Sequence, residues 1–175
     1  MTLMRSQLLL VPAALVMAAP ASAKVFMDVE QAQSLMFPGK KLTAHFVKLD
    51  QDQFNAIIND SNVTVNSRNI KAWKTEDGEW FILDQVRGKD DWITYALAID
   101  AKGVVRRIEV LECLDGYEGI TIPAWRAQFY GKKRGASFDN VEIISGATLS
   151  CGQILGGVKR VLSTLALVLE DTAHG

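Results

Sequence analysis

The middle of the chain alternates between apolar, strand-like runs and turn residues. The strand-like runs are residues 69–74, 80–86, 92–99 and 104–111. The connections between them carry the aspartate and glycine that are typical of tight turns: Asp77-Gly78, residues 88–91 and residues 100–103. Such short connections join antiparallel neighbours, so we predict a β-meander. Helical patterns precede and follow it, which gives an α+β fold with the sheet packed against helices.

Two helices are predicted before the meander. Residues 28–31 and 50–53 each place an aspartate three residues before a glutamine, which is a capping-box pattern. The helices that they begin should end near residues 36 and 60. The other strand-like runs in this part of the chain are residues 41–49 and 63–65.

The first 23 residues have the pattern of a secretory signal peptide. Arg5 is followed by an apolar run over residues 8–19 and by the small-residue site Ala21-Ser22-Ala23. We expect cleavage after Ala23, a periplasmic location and a mature chain, residues 24–175, that forms one domain. The alternative is an uncleaved membrane anchor, although the run is shorter than the roughly 20 residues of a membrane span.

Charge and cysteine content argue against several classes of protein. The formal net charge is −1, which gives no indication of nucleic-acid binding. Two cysteines and two histidines without ligand-like spacing do not predict a metal site. Cys113 and Cys151 either form a disulfide, as exported proteins allow, or are small buried side chains.

The sequence Ser145-Gly146-Ala147-Thr148-Leu149-Ser150 lies at the start of the last helical pattern. The first turn of a helix has unpaired N–H groups and a partial positive charge, so a phosphate can bind there. Glycine and alanine allow the backbone to approach such an anion closely. The Thr148 hydroxyl would then be a nucleophile inside an anion site. The alternative is that these residues are only a helix cap.

The helix that follows is predicted over residues 148–169. Three glycines (Gly152, Gly156 and Gly157) fall in its first turns. Each costs about 1 kcal/mol relative to alanine in a helix, so close packing against a strand or a bound ring should offset them.

An acidic loop, a short helix and a basic loop connect the meander to the motif. The loop is residues 112–119, and Pro123 begins a helix that contains Trp125 and Gln128 and ends at Gly131. The basic loop is Lys132-Lys133-Arg134.

Several of these features together resemble the FMN-binding domain family, which includes flavoprotein subunits of the sodium-pumping NADH:quinone reductase and of Rnf complexes. They are an Asp-x-x-Gly hairpin, an acidic loop, Trp-x-x-Gln-Phe-x-Gly-Lys at residues 125–132 and Ser-Gly-Ala-Thr at residues 145–148. The resemblance covers residues 80–170 as a family core, with residues 24–79 as an N-terminal extension of the same domain.

The resemblance implies that FMN is held covalently by a phosphoester bond to Thr148, which a separate flavin transferase makes from FAD. The family usually has aspartate three residues before the first serine of the motif, and this chain has Glu142 there. The other cofactor-binding residues that the resemblance implies come from the motif and the acidic loop: Ser145, Gly146, Ala147, Leu149, Ser150, Glu112, Tyr117 and Glu118. Trp125 and Tyr117 either pack against the flavin ring or belong to the core, and the basic loop either adds a counter-charge or is solvated.

The predicted function is electron transfer between redox partners, such as a redox protein or a membrane complex. The sequence contains none of the common hydrolase, P-loop or Rossmann motifs, so an electron carrier is favoured over a stand-alone enzyme. Two alternatives remain: a non-covalent ligand-binding or structural module on the same fold, and a small flavin reductase.

Overall fold

The computed structural model describes residues 23–89, 91–114 and 118–170 and confirms the α+β fold. The sheet has the strand order β1-β7-β6-β5-β4-β2, and β3 also pairs with β4; each pair is antiparallel. The strands are β1 (Ala23–Val25), β2 (Leu42–Ala44), β3 (Val47–Lys48), β4 (Asn69–Thr75), β5 (Trp80–Arg87), β6 (Trp92–Ile99) and β7 (Val105–Leu114). The helices are α1 (Val29–Met36), α2 (Gln51–Ser61), α3 (Pro123–Ala127) and α4 (Thr148–Thr164), with a 3-10 helix at Glu118–Thr121 and a π-helical turn at Leu165–Leu169.

The predicted meander is confirmed, and glycine and aspartate residues stabilise its turns. Gly78 and Gly103 have φ values of +84° and +72°, a region that favours glycine. In the turn at residues 100–103 the Asp100 carboxylate accepts hydrogen bonds from the backbone N–H groups of Lys102 (2.8 Å) and Val104 (3.0 Å). Both predicted capping boxes are also present, at Asp28 and Asp50.

Three strand predictions are wrong in detail. Residues 41–49 form two short strands, β2 and β3, instead of one; between them the His45 N–H donates to the carbonyl of Ala72. Residues 63–65 are not a strand. The apolar side chain of Val65 packs instead in a small core with Ile57 of α2. Strand β7 continues to Leu114, beyond residue 111, because β1 pairs with its last three residues.

Both faces of the sheet are covered, which explains the apolar character of the central strands. Helix α4 packs on one face and forms the larger core with Ile93, Tyr95 and Leu97. Helix α1 covers part of the other face, where Ala32 and Met36 pack against Phe81. Alternate residues of β6 therefore enter two different cores.

Helix α4 is confirmed near its predicted bounds and lies close to the sheet. A Cβ atom on Gly157 would lie 2.7 Å from Val86 Cγ1, and one on Gly156 would lie 3.5 Å from Val63. A Cβ atom on Gly152 would meet nothing within 4 Å. Packing against neighbouring residues therefore accounts for two of the three glycines and leaves Gly152 in open space.

Among the described residues, one helix, Thr148–Leu169, is long and apolar enough to cross a membrane by length and composition. However, 61% of its apolar window is buried inside the fold. Its apolar residues therefore pack in the core of the domain.

Along the part of the β7 edge that β1 does not pair with, α3 and the turn after it contact the strand. Arg126 Nη1 donates to the carbonyl of Ile108 (3.0 Å) and pairs with Glu109, whose side chain is almost completely buried. Val105 exchanges backbone hydrogen bonds of 2.8 Å with Gly131 and Lys132. Helix α3 ends at Ala127, earlier than predicted, because the chain turns here to follow the strand edge.

Candidate functional site

The Ser-Gly-Ala-Thr motif forms the junction into α4, and Thr148 is the first residue of that helix. Gly146 has a φ of +85°, which permits the sharp turn into the helix. Ala147 is the N-cap residue, and no side chain caps the helix. The first main-chain hydrogen bond of the helix runs from the Cys151 N–H to the Ala147 carbonyl (2.9 Å). The N–H groups of Thr148, Leu149 and Ser150 thus precede the helical ladder and can bind an anion.

The motif has one exposed and one buried set of residues. Ser145, Gly146, Thr148 and Leu149 are exposed, whereas Ala147 and Ser150 are 6% and 2% exposed. The buried pair fixes the junction in the core, and the Thr148 hydroxyl remains accessible from solvent. A plain helix cap would use a serine or threonine oxygen on the N–H groups, and the structure has no such bond. The motif therefore does not form a side-chain cap.

The 3-10 helix Glu118–Thr121 packs directly against the motif. A Cβ atom on Gly119 would lie 2.9 Å from the Ala147 Cβ and 3.4 Å from Ile144 Cγ2, so only glycine fits here without displacement. This contact brings the backbone of the 3-10 helix beside the motif. The sequence gives no direct signal for the role of Gly119, because its neighbours are far away along the chain.

The predicted acidic-loop residues have different positions. Glu112 is not in a loop but in β7, where it lies opposite both Val25 and Thr94. Among the described residues, no hydrogen bond or ion pair joins Glu112 to the motif. Glu118 belongs to the 3-10 helix beside the motif, and Tyr117 lies outside the described residues.

Trp125 and Gln128 hold the segment that leads into the motif. Trp125 Nε1 donates to the carbonyl of Glu142 (2.7 Å), and Gln128 Oε1 accepts from the Glu142 N–H (2.8 Å). Trp125 is 3% exposed and packs edge-on against Phe129, so it is a core residue and not a flavin-stacking one. The Trp-x-x-Gln sequence is thus a two-point clamp on the backbone three residues before Ser145.

The basic loop lies away from Thr148. Arg134 pairs with Asp60 at the end of α2, and Lys132 Nζ donates to the carbonyl of Ser137 (2.6 Å). Lys133 and Arg134 line a cavity with Lys159, which is about 17 Å from Thr148 along α4 at 1.5 Å per residue. The interpretation of this loop as a counter-charge beside Thr148 is therefore not supported.

The two cysteines carry thiols and form no disulfide. Both are fully buried in the larger core, Cys113 on β7 and Cys151 on α4, as the alternative interpretation expected. Burial raises the pKa of the Cys151 thiol. No group of three or more histidine, cysteine, aspartate or glutamate residues that could hold a metal occurs in the described part of the chain.

Comparison with known proteins supports flavin binding. Residues 88–163 match the sequence model of the FMN-binding domain, a range that contains β6, β7, α3, the motif and most of α4. No curated protein matches the chain. The match supports FMN as the cofactor, and it includes both the Trp-x-x-Gln clamp and Thr148. The match over residues 88–163 therefore supports a relationship of this chain to the FMN-binding domain family.

Proposed function

We propose that this protein is an exported electron carrier whose FMN is bound covalently through a phosphoester to Thr148. The single observation that carries the proposal is the exposed Thr148 hydroxyl at an uncapped helix N-terminus inside an FMN-binding domain. FMN, when bound, supplies the one- and two-electron chemistry, and the protein supplies position and electrostatics.

The residues around Thr148 fit a phosphate ester. Backbone N–H groups of the first turn of α4 point toward the position of an anion, and the helix dipole favours its negative charge. Gly146 and Ala147 place no bulky side chain between the backbone and the phosphate. Gly152, one turn further along the same face of α4, is exposed and leaves open space beside the attachment point.

The covalent bond suits a carrier outside the cytoplasm. A phosphoester keeps the flavin at a high effective concentration beside its site, so dilution cannot remove it. The Thr148 oxygen would replace AMP on the flavin phosphate of FAD, and the hydroxyl proton would pass to solvent. A flavin transferase is the expected partner for this step, and a redox protein or a membrane electron-transfer complex is the expected partner afterwards.

The test is the intact mass of the mature protein, produced with its signal sequence in cells that contain a flavin transferase. We expect an increase of about 438 Da, the mass of FMN less water. Thr148→Ala should abolish the increase, whereas Thr43→Ala, which removes an exposed threonine hydroxyl from β2, should keep it.

An unmodified wild-type mass, with transferase activity demonstrated in the same cells, would contradict the covalent assignment. If FMN then co-purified and separated on denaturation, the protein would be a non-covalent flavin module. An N-terminus at Lys24 in the same mass measurement would support export and cleavage after Ala23.

A further inference from the structure

A cavity of about 560 Å³ lies between the basic loop, the end of α2 and the middle of α4. Four of its ten lining residues are charged (Asp60, Lys133, Arg134 and Lys159), and Phe138 and Leu162 contribute apolar surface. Its volume is in the range of small-molecule sites. It is also separate from Thr148, by about three turns of α4.

One wall of the cavity is a fixed ion pair. Arg134 donates to both carboxylate oxygens of Asp60, with Nε–Oδ2 and Nη2–Oδ1 distances of 2.9 and 2.6 Å. Ser163 Oγ also donates to Asp60 Oδ2 (2.6 Å). Hydrogen bonds from Arg134 and then from Ser163 lower the pKa of Asp60, so the carboxylate stays ionised and compensates Arg134. The charge of Asp60 is thus balanced by Arg134.

The two lysines of the cavity have no such compensation. Neither Lys133 nor Lys159 forms an ion pair with any residue that the structure describes. Lys159 Nζ lies 5.3 Å from the centre of the Phe138 ring, and Lys132 Nζ lies 5.4 Å from the same ring. The cavity lining thus carries three positive charges, on Lys133, Arg134 and Lys159, and one negative charge, on Asp60. Its net charge is therefore +2.

A cleft whose charged residues are mostly of one sign attracts ions of the opposite sign. A bound anion of charge −2 would balance the net charge of this cavity. A phosphate monoester has that charge near neutral pH and offers three oxygens to two ammonium groups and to the loop. The positive φ of Gly135 (+77°) also brings loop backbone without a side chain to the cavity wall.

We propose that this cavity is a phosphate-binding site, with Lys133 and Lys159 as its charge-bearing ligands and Leu162 and Phe138 as its floor. The site is independent of the flavin attachment at Thr148. The phosphate could belong to a soluble phosphate ester or to the headgroup of phosphatidic acid, because both present a phosphate monoester to the lysines.

The experiment titrates the full chain with inorganic phosphate and glycerol 3-phosphate by calorimetry, with chloride added to hold ionic strength constant. We expect saturable binding that weakens at least tenfold in the double variant Lys133→Gln/Lys159→Gln. The matched control, Lys48→Gln/Lys71→Gln, makes the same charge change at a different cavity and should bind as the wild type does. Thermal unfolding without ligand shows that both variants are folded.

Vesicles that contain phosphatidic acid, whose headgroup is a phosphate monoester, distinguish the two sources. Tight binding of glycerol 3-phosphate without sedimentation on vesicles identifies a soluble ester, and sedimentation that the Lys133/Lys159 variant loses identifies a lipid headgroup. No saturable binding of any of the three probes, or equal loss in the control variant, would overturn the site. Neither result depends on whether Thr148 carries FMN.

Discussion

At the scale of single residues, Gly157 shows how tightly α4 packs on the sheet. Alanine there would place a Cβ atom 2.7 Å from Val86 Cγ1 and closer still to the Tyr95 hydroxyl. Overpacking of this kind typically costs about 1–3 kcal/mol, which exceeds the roughly 1 kcal/mol that alanine gains in helix propensity. We therefore expect Gly157→Ala to lower the free energy of unfolding, measured by urea denaturation.

Gly152→Ala is the matched control, because it makes the same change in the same helix. A Cβ atom at Gly152 meets no neighbour within 4 Å, so this variant should gain up to about 1 kcal/mol. Equal effects of the two substitutions would mean that helix propensity, and not the approach of α4 to the sheet, explains Gly157.

The sequence could predict that the three glycines need a compensating contact, but it could not distinguish among them. Which glycine faces Tyr95 depends on how α4 crosses the sheet, and strand and helix are far apart in the chain. Gly119 is similar: its packing against Ala147 has no local signature.

At the scale of elements, the important contact is the clamp between the turn after α3 and the segment before the motif. Gln128→Leu keeps the size of the side chain but removes the acceptor of the Glu142 N–H (2.8 Å). A hydrogen bond of this kind contributes about 0.5–1.5 kcal/mol. Hydrogen exchange of the Glu142 amide should therefore become about 2- to 12-fold faster.

Gln153→Leu, an exposed change on α4, serves as the control and should leave that exchange rate unaltered. If Gln128→Leu accelerated exchange equally throughout the domain, it would be acting on global stability and not on the clamp.

Periodicity and capping predicted the elements well where their signals are local. Helices α1 and α2 begin at capping boxes, and the strands of the meander end at glycine turns. The errors occur where tertiary contacts decide. Strand β7 is longer than predicted because β1 pairs with it, so Glu112 moves from a loop into the sheet.

At the scale of the whole molecule, the sheet separates two cores and α4 joins the motif to the larger one. The motif and its exposed threonine could be predicted, since a helix start and its small residues are read directly from sequence. The basic cavity could not, because α2, the basic loop and α4 contribute to it from distant parts of the chain.

The core beneath α4 also makes the stability of the whole molecule depend on pH. Tyr95 is completely buried, and its hydroxyl donates to Asp84 (2.5 Å), which Arg160 also contacts. Burial, with the charge of Asp84 as a smaller cause, raises the pKa of Tyr95 well above its usual value of 10.0, against the opposing charge of Arg160. Between the unfolded and folded pKa values, the unfolded chain loses this proton and the native protein keeps it.

The stability that Tyr95 contributes is therefore present below about pH 10 and is lost as the pH rises further, by about 1.4 kcal/mol per pH unit. We expect Tyr95→Phe to remove that slope, although its stability at pH 7 falls because the bond to Asp84 is lost. Tyr130→Phe is the control, since Tyr130 is 43% exposed and should leave the slope unchanged. Urea denaturation between pH 8 and about 11 measures all three proteins. A wild-type slope that persists in Tyr95→Phe would assign alkaline destabilisation to the surface lysines instead of the buried phenol.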